Sequence, residues 1–182
     1  WNVGKPLEIE DRVLVPLYKI REFGDYFMTY SEGVLLECSN INAEKDPEKL
    51  IWQTLPDGEI GIRAPHKDSR ISEEHSFVRL SDGTVFCTFR TTTGHPYCSY
   101  SRDNCHTFSD PEPLTYSNGR LVKHPRAANF IWKCENGKYL YWYHNNGGRG
   151  MPDRNPVFLC GAKEVLTDEG MKLSFGQPKP VL

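Results

Sequence analysis

One strand–turn–strand pattern occurs twice in this sequence, about fifty residues apart. The first copy places Ser81-Asp82-Gly83 between the strand-like runs 75–80 and 84–90, and the second places Glu135-Asn136-Gly137 between 129–134 and 138–143. Asp-Gly and Asn-Gly supply the positive φ angles of tight hairpin turns. The two turn glycines are 54 residues apart, and each hairpin is followed by a further strand-like run, at 97–101 and 156–162. The repeated unit is therefore a meander.

Meanders that repeat about every fifty residues are typical of propeller blades. The stretch from Val13 to Leu55 has strand patterns of its own, at 13–20, 26–30 and 34–37, and is interpreted as an earlier, less regular unit. We therefore predict an all-β fold: one partial β-propeller domain over residues 1–182, with about three four-stranded antiparallel blades near 9–60, 72–118 and 124–182. A short helix is predicted only over Ala43–Leu50, where Asn42 is a cap and Pro47 argues against length.

The composition agrees with many short strands and excludes some partners. Aromatic residues make up 12% of the chain, alongside 15 Gly and 13 Pro. The net charge of −2 and the pI near 6.3 give no reason to expect nucleic acid or an anionic membrane. No apolar run approaches the roughly eighteen residues of a spanning helix. The sequence implies no cofactor and does not reveal the compartment.

The cysteines and the chain ends carry weaker signals. The six cysteines contain no CxxC pair, and those within strand-like runs are expected to be buried free thiols, while a Cys98–Cys105 pair is an alternative. The chain starts at Trp1 and ends on a strand-like approach, so we expect a processed product or a fragment. An unclosed array exposes strand edges, which favours self-association.

The loop after the third strand of the middle unit carries the most specific motif. It reads Ser101-x-Asp103-x-Cys105-x-Thr107-Phe108 and resembles the Asp-box of sialidases, usually Ser-x-Asp-x-Gly-x-Thr followed by Trp or Phe. Ser101 and Asp103 can satisfy backbone donors of the tight loop, and Phe108 is expected to pack between blades. Cys105 stands where the family has Gly, which predicts an altered turn. The motif is structural in the family.

The resemblance extends to charged residues around this motif. In sialidases a Glu precedes the hairpin that leads into an Asp-box, an Arg follows about fifteen residues later, and another Arg follows sixty-odd residues after that. Glu74, Arg90 and Arg154 have these spacings. The alternative is that each is a surface charge beside a strand. The resemblance implies that Glu74 activates a tyrosine nucleophile and that Arg90 and Arg154 bind the substrate carboxylate bidentately.

The other residues of the family's site have weaker counterparts in this sequence. The nucleophilic Tyr is expected beyond Leu182, Arg63-Ala64-Pro65 is the nearest match to the family's first Arg, and nothing singles out Asp25 or Asp68 as the acid. Two polar connections are further candidates for substrate contact, through His124, Arg126, His144 and Asn145. No ligand spacing supports a metal site through the histidines. The aromatic run 139–143 is either a sugar platform or, more commonly, inter-blade packing.

The resemblance implies an exo-glycoside hydrolase, or a fragment of one, that removes a terminal acidic sugar from a glycan. The alternative is a noncatalytic propeller that binds glycan or protein through its loops, because the fold hosts many functions. A glycosidase with two carboxylates would need a second acid facing Glu74. Bacterial relatives of this type are periplasmic or secreted. We expect the 182 residues alone to be inactive, and Glu74, Arg90 and Arg154 to share the mouth opposite the Asp-box, within about 15 Å.

Overall fold

The computed structural model describes residues 4–25, 27–148 and 152–181, and strands dominate it. Thirteen strands run in chain order: β1 Leu7–Ile9, β2 Arg12–Phe23, β3 Met28–Cys38, β4 Trp52–Leu55, β5 Glu73–Arg79, β6 Val85–Arg90, β7 Tyr97–Ser101, β8 Glu112–Pro113, β9 Phe130–Lys133, β10 Tyr139–Tyr143, β11 Phe158–Thr167, β12 Gly170–Phe175 and β13 Lys179–Pro180. The described helices are single 3-10 turns at Pro47–Lys49 and Pro152–Arg154. None of the described helices could cross a membrane.

The strands form three antiparallel sheets that follow one another along the chain. Sheet 1 has the order β1-β2-β3-β4, sheet 2 has β5-β6-β7-β8, and sheet 3 has β9-β10-β11-β12, with β13 added against β11. The predicted all-β fold of about three four-stranded antiparallel blades is confirmed, and the sheets do not close into a ring. Sheet 1 is the irregular unit expected from 13–55, with a much longer hairpin, β2–β3, than the other two sheets have.

Two apolar cores lie between neighbouring sheets, because each strand points alternate side chains to opposite faces. The first core joins sheets 1 and 2 through buried residues including Leu14, Leu35, Phe77, Cys87 and Phe89. The second joins sheets 2 and 3 through residues that include Val78, Phe86, Tyr100, Tyr139, Tyr141 and Phe175. The aromatic run 139–143 thus contributes its three tyrosines to inter-sheet packing, as its commoner interpretation predicts.

Two local predictions were wrong and one alternative is excluded. The predicted helix over Ala43–Leu50 is a single 3-10 turn that begins after Asp46, whose side chain accepts a hydrogen bond from the Glu48 amide. Pro47 stands at its start, where a missing amide donor is harmless, so the signal marks a turn and not a helix. The strands predicted separately at 26–30 and 34–37 form one strand from Met28 to Cys38, β3, and Tyr26 lies outside the described residues. All six cysteines are free thiols, so Cys98 and Cys105 are not paired.

Candidate active site

The candidate site lies at one end of the array, which we call the mouth. In sheet 2, Glu73 at the start of β5 pairs with Arg90 at the end of β6. In sheet 3, Phe130 at the start of β9 pairs with Trp142 near the end of β10, so the loops holding Arg126 and His144 leave that same end. The loop that resembles the Asp-box follows Ser101, which pairs with Val85 in sheet 2, at the opposite end from Arg90. The mouth and this loop therefore lie at opposite ends of sheet 2.

Glu73, which the sequence did not single out, is the centre of the mouth. Its side chain is fully buried, and both of its oxygens accept hydrogen bonds from arginines. Arg90 donates through Nε at 2.8 Å, with its Nη2 2.7 Å away, and Arg126 donates through Nη2 at 2.7 Å and Nε at 3.2 Å. Charge-assisted, forked contacts of this kind are the strongest hydrogen bonds in proteins. They tie the loop before sheet 3 to the first strand of sheet 2.

Glu74 points into the same mouth because the backbone is distorted there. Its φ is +55°, and the β5–β6 pairing is irregular between Glu73 and Ser76. A bulge of this kind directs two consecutive side chains to one place, which a regular strand cannot do. Arg90 Nη1 lies 2.9 Å from Glu74 Oε2, as an ion pair without hydrogen-bond alignment. Burial raises the pKa of Glu74, and the charge of Arg90 opposes that rise.

Arg154 approaches this cluster from sheet 3, at the end of the 3-10 turn before β11. Its Nη2 donates to the carbonyl of Arg126 at 2.9 Å, and its charge lowers the pKa of Glu74 to a lesser extent than Arg90 does. Among the described residues, no carboxylate lies within 4.0 Å of the Arg154 guanidinium, whereas Arg90 and Arg126 both contact Glu73. Arg154 is therefore the arginine of the mouth with the most free hydrogen-bonding capacity toward an anion.

The two histidines lie behind the arginines. His124 is 1% exposed and His144 6%, and their rings stack at 5.8 Å between centroids. The His144 amide donates to His124 Nδ1, and His124 Nε2 donates to the Ala127 carbonyl. Burial lowers the pKa of both rings, that of His124 to about 4. His124 therefore supports the loop of Arg126 through its hydrogen bond to Ala127, and substrate contact by either histidine stays a prediction.

Asn145 lies apart from the charged cluster. Its Oδ1 accepts a hydrogen bond from the Tyr116 hydroxyl at 3.3 Å, and that hydroxyl also contacts the hydroxyl of Tyr143 in the second core. The prediction grouped Asn145 with His144 because they are neighbours in the sequence. In the structure the Asn145 side chain instead contacts Tyr116. Of the seven predicted contact and catalytic residues, the structure gathers Glu74, Arg90, Arg126 and Arg154, with His124 and His144 behind them.

Sheet 1 contributes residues that no motif indicated. The Met28 carbonyl accepts from Arg126 Nη2 at 3.1 Å, and the guanidinium lies 4.9 Å from the centroid of the half-exposed Phe27 ring. Tyr18 on β2 is buried against the same charges. Burial, followed by the carboxylates of Glu73 and Glu74, raises the pKa of Tyr18 to about 12. The only signal for Tyr18 in the sequence was its place in the alternating pattern of β2. That pattern indicates a core residue as well as it indicates a site residue.

The loop that resembles the Asp-box is closed by its own side chains. Asp103 accepts from Ser101 Oγ at 2.8 Å, from the Thr107 amide at 2.9 Å and from Thr107 Oγ1 at 2.5 Å. Burial alone would raise the pKa of Asp103, but these hydrogen bonds lower it overall. Cys105 has a φ of +74°, the conformation that glycine adopts most easily, and its thiol is buried in the first core, against which Phe108 packs.

The fold is that of sialidases. The intramolecular trans-sialidase of Ruminococcus gnavus matches with a TM-score of 0.60 and 15% identity over 93% of this chain, and the NanB sialidase of Streptococcus pneumoniae with 0.59 and 15% over 96%. A protein of unknown function from Dyadobacter fermentans matches over the whole chain with a TM-score of 0.54 and 13% identity. This chain spans 31%, 22% and 54% of those three chains, respectively. No family model and no curated protein matches the sequence.

Proposed function

We propose that this chain carries the arginine and glutamate side of an exo-glycoside hydrolase site that takes a terminal acidic sugar of a glycan, sialic acid in the first instance. The observation that carries the proposal is the charge arrangement at the mouth. Three guanidinium groups face two carboxylates there, and Arg154 has no described carboxylate partner. With both glutamates ionised, one positive charge is left over for a monoanionic ligand.

In this proposal Arg154 and Arg126 hold the substrate carboxylate. Arg154 keeps most of its donors, and Arg126, with a quarter of its side chain exposed, spends Nε and Nη2 on Glu73 and Met28. A planar guanidinium stays charged at any working pH and matches the carboxylate fork. Arg90 is 7% exposed and surrounded by Glu73 and Glu74, so it positions those two carboxylates and has little capacity left for a ligand.

Glu74 is the group we assign as partner of the nucleophile. A carboxyl whose pKa is raised by burial is a better proton acceptor at neutral pH than an exposed one. Sialidases use a tyrosine nucleophile, which a glutamate activates. Burial and the carboxylates of Glu73 and Glu74 raise the pKa of Tyr18 to about 12, so its hydroxyl is protonated at neutral pH and we do not assign it as the nucleophile. The nucleophile and the acid stay predicted outside these residues.

The test is a binding titration of the 182-residue chain with N-acetylneuraminic acid and with its methyl ester, which lacks the carboxylate charge. We expect the acid to bind at least tenfold more tightly than the ester, and Arg154→Ala to abolish that difference. Arg102→Ala is the matched control, since Arg102 is an exposed arginine on the Asp-box loop. Equal affinity for acid and ester, or an equal loss in both variants, would refute the proposal.

A noncatalytic glycan-binding role is the second candidate. The observation that favours it is that Arg90 forms ion pairs with both glutamates, so the Glu74 carboxylate already has a partner. Hydrolysis of an aryl sialoside separates the two candidates, because a binding module retains the acid-over-ester preference without turnover. Turnover that disappears in Glu74→Gln supports catalysis and contradicts our expectation that these residues alone are inactive.

A further inference from the structure

A layer of polar side chains is enclosed between sheets 2 and 3, beneath the charges of the mouth. Along β6 the residues that face sheet 3 change from charged Arg90 through Thr88 to apolar Phe86, because alternate residues of a strand share a face. Thr88 and Asn129 are 0% exposed, and Tyr141 is 1% exposed. We call these three residues the polar layer. Because sheets 2 and 3 enclose it, its burial needs no other part of the protein.

Two cross-strand pairs bring the polar layer together. Thr88 pairs with Ser76 in sheet 2. Tyr141 pairs with Ile131 in sheet 3. The Ser76 hydroxyl accepts a hydrogen bond from the Ile131 amide at 3.1 Å, so the two pairs lie against each other across the sheets. Asn129 precedes Ile131 by two residues and therefore projects from the same side of its strand, roughly 6–7 Å nearer the mouth. The three side chains thus enter one region between the sheets.

The polar atoms of this layer have no partners within the described part of the chain. Neither the amide nitrogen nor the amide oxygen of the Asn129 side chain has a hydrogen-bond partner there, and neither does the hydroxyl of Thr88 or of Tyr141. Burial raises the pKa of Tyr141 well above its usual value, and Thr88 opposes the rise, so these two hydroxyls are neighbours without a hydrogen bond between them. Buried polar groups are nearly always paired, because an unpaired one loses its bonds to water and regains none.

We infer that Thr88, Asn129 and Tyr141 share an internal water site between sheets 2 and 3. A water molecule can donate to the Asn129 oxygen and accept from its amide nitrogen or from a hydroxyl, and internal waters commonly make about three hydrogen bonds. Water is the occupant to expect, because the three side chains have no exposure through which a larger ligand could enter. The site forms a hydrated layer between the Glu73–Arg90 ion pair and the second core. This inference does not depend on the proposed sugar site.

The experiment is oxygen-17 magnetic relaxation dispersion of water in a solution of the 182-residue chain, which counts the water molecules that stay bound for longer than the protein tumbles. We expect Asn129→Leu, Thr88→Val and Tyr141→Phe each to remove at least one molecule from that count. Because the site is shared, the double variant Thr88→Val/Asn129→Leu should lose no more than the single variant with the larger loss. Thr54→Val is the matched control, since Thr54 is exposed on β4 and the chemical change is the same.

Urea unfolding of the same variants gives a second readout, whose sign separates a hydrated layer from an unpaired one. If water pairs these atoms, Tyr141→Phe and Thr88→Val delete hydrogen bonds and lower the urea midpoint. If the atoms were unpaired, the same substitutions would remove unfavourable burial and raise the midpoint. Both keep the side-chain shape, so they carry the test if circular dichroism shows that Asn129→Leu does not fold. An unchanged water count, losses that add in the double variant, or a raised midpoint would each overturn the inference.

Discussion

Glu73→Gln is the substitution whose consequence follows most directly from the structure. The Glu73 side chain is fully buried and neutralises Arg90, 8% exposed as a side chain, and Arg126, 25% exposed. Glutamine keeps the shape but removes the charge, and its amide group turns two donors toward guanidinium groups that also only donate. Breaking a buried ion pair from one side costs about 3–5 kcal/mol, because the remaining charge stays buried. For a domain of this size that corresponds to a fall in Tm of roughly 6–20 °C.

Urea unfolding at pH 7.5, followed by tryptophan fluorescence, measures this loss. Glu22→Gln is the matched control, because the Glu22–Arg70 pair has the same chemistry but both side chains are 51% exposed. An exposed pair contributes about 0–1 kcal/mol, so the control should unfold close to the unmodified chain. If Glu73→Gln lost no more stability than Glu22→Gln, the arginines would not depend on Glu73, and the central place given to it at the mouth would be wrong.

Other predictions concern the loop that resembles the Asp-box, acid stability and the mouth. Cys105→Val places a β-branched side chain at φ +74° and should destabilise the chain by about 1–3 kcal/mol in urea unfolding, whereas Cys105→Ser, without β-branching, should cost less. His75 is fully buried and neutral, with a pKa of about 3, so its contribution to stability is complete above pH 6.5 and is lost as the pH falls from 6.5 toward 3. We expect the free energy of unfolding to fall by about 1.4 kcal/mol per pH unit in this window. Equal stability at pH 7.5 and pH 5 would contradict this prediction. Arg154→Ala should leave the Tm within a few degrees of the unmodified chain, because its described contact is one bond to a carbonyl; a fall as large as that of Glu73→Gln would show a structural role.

The sequence predicts the sheets well because their signals are local. The Asp-Gly and Asn-Gly turns define the registers of β5–β6 and β9–β10, and the third strand of sheet 2, predicted over Tyr97–Ser101, has those bounds in the structure. The failures come from weak or competing local signals. At Ala43–Leu50, good helix formers surround a proline and an aspartate. The aspartate caps a single 3-10 turn, and no longer helix forms. In β3, Gly33 interrupts the strand pattern of the sequence. The structure explains the glycine, because a Cβ atom at this position would collide with the ring of His75.

The site was predicted less completely because its key relation is not local in sequence. Spacing singled out Glu74 and Arg90 as candidates. Nothing in two adjacent glutamates tells which one is buried, since a regular strand would send them to opposite faces. The bulge before Ser76 brings both to the mouth, and Arg126, 53 residues further along, decides that Glu73 is the one held between two guanidinium groups. The burial of His124 and His144 was equally hidden from the sequence, because polar residues on loops give no local sign of how deeply they lie.

The mouth therefore holds its charges at two depths, and in the proposed site we expect the inner depth to govern stability and the outer depth to govern recognition. Glu73 and Arg90 form the inner level, where exposure is 8% or less and each charge depends on the other. Arg154 and the outward edge of Arg126 form the outer level, where some guanidinium donors have no partner among the described residues. Inner substitutions should lower stability and binding together, whereas outer ones should lower binding alone. A site in which Arg154→Ala and Glu73→Gln gave the same ratio of lost affinity to lost stability would not have this two-level structure, and carboxylate recognition would have to be assigned elsewhere.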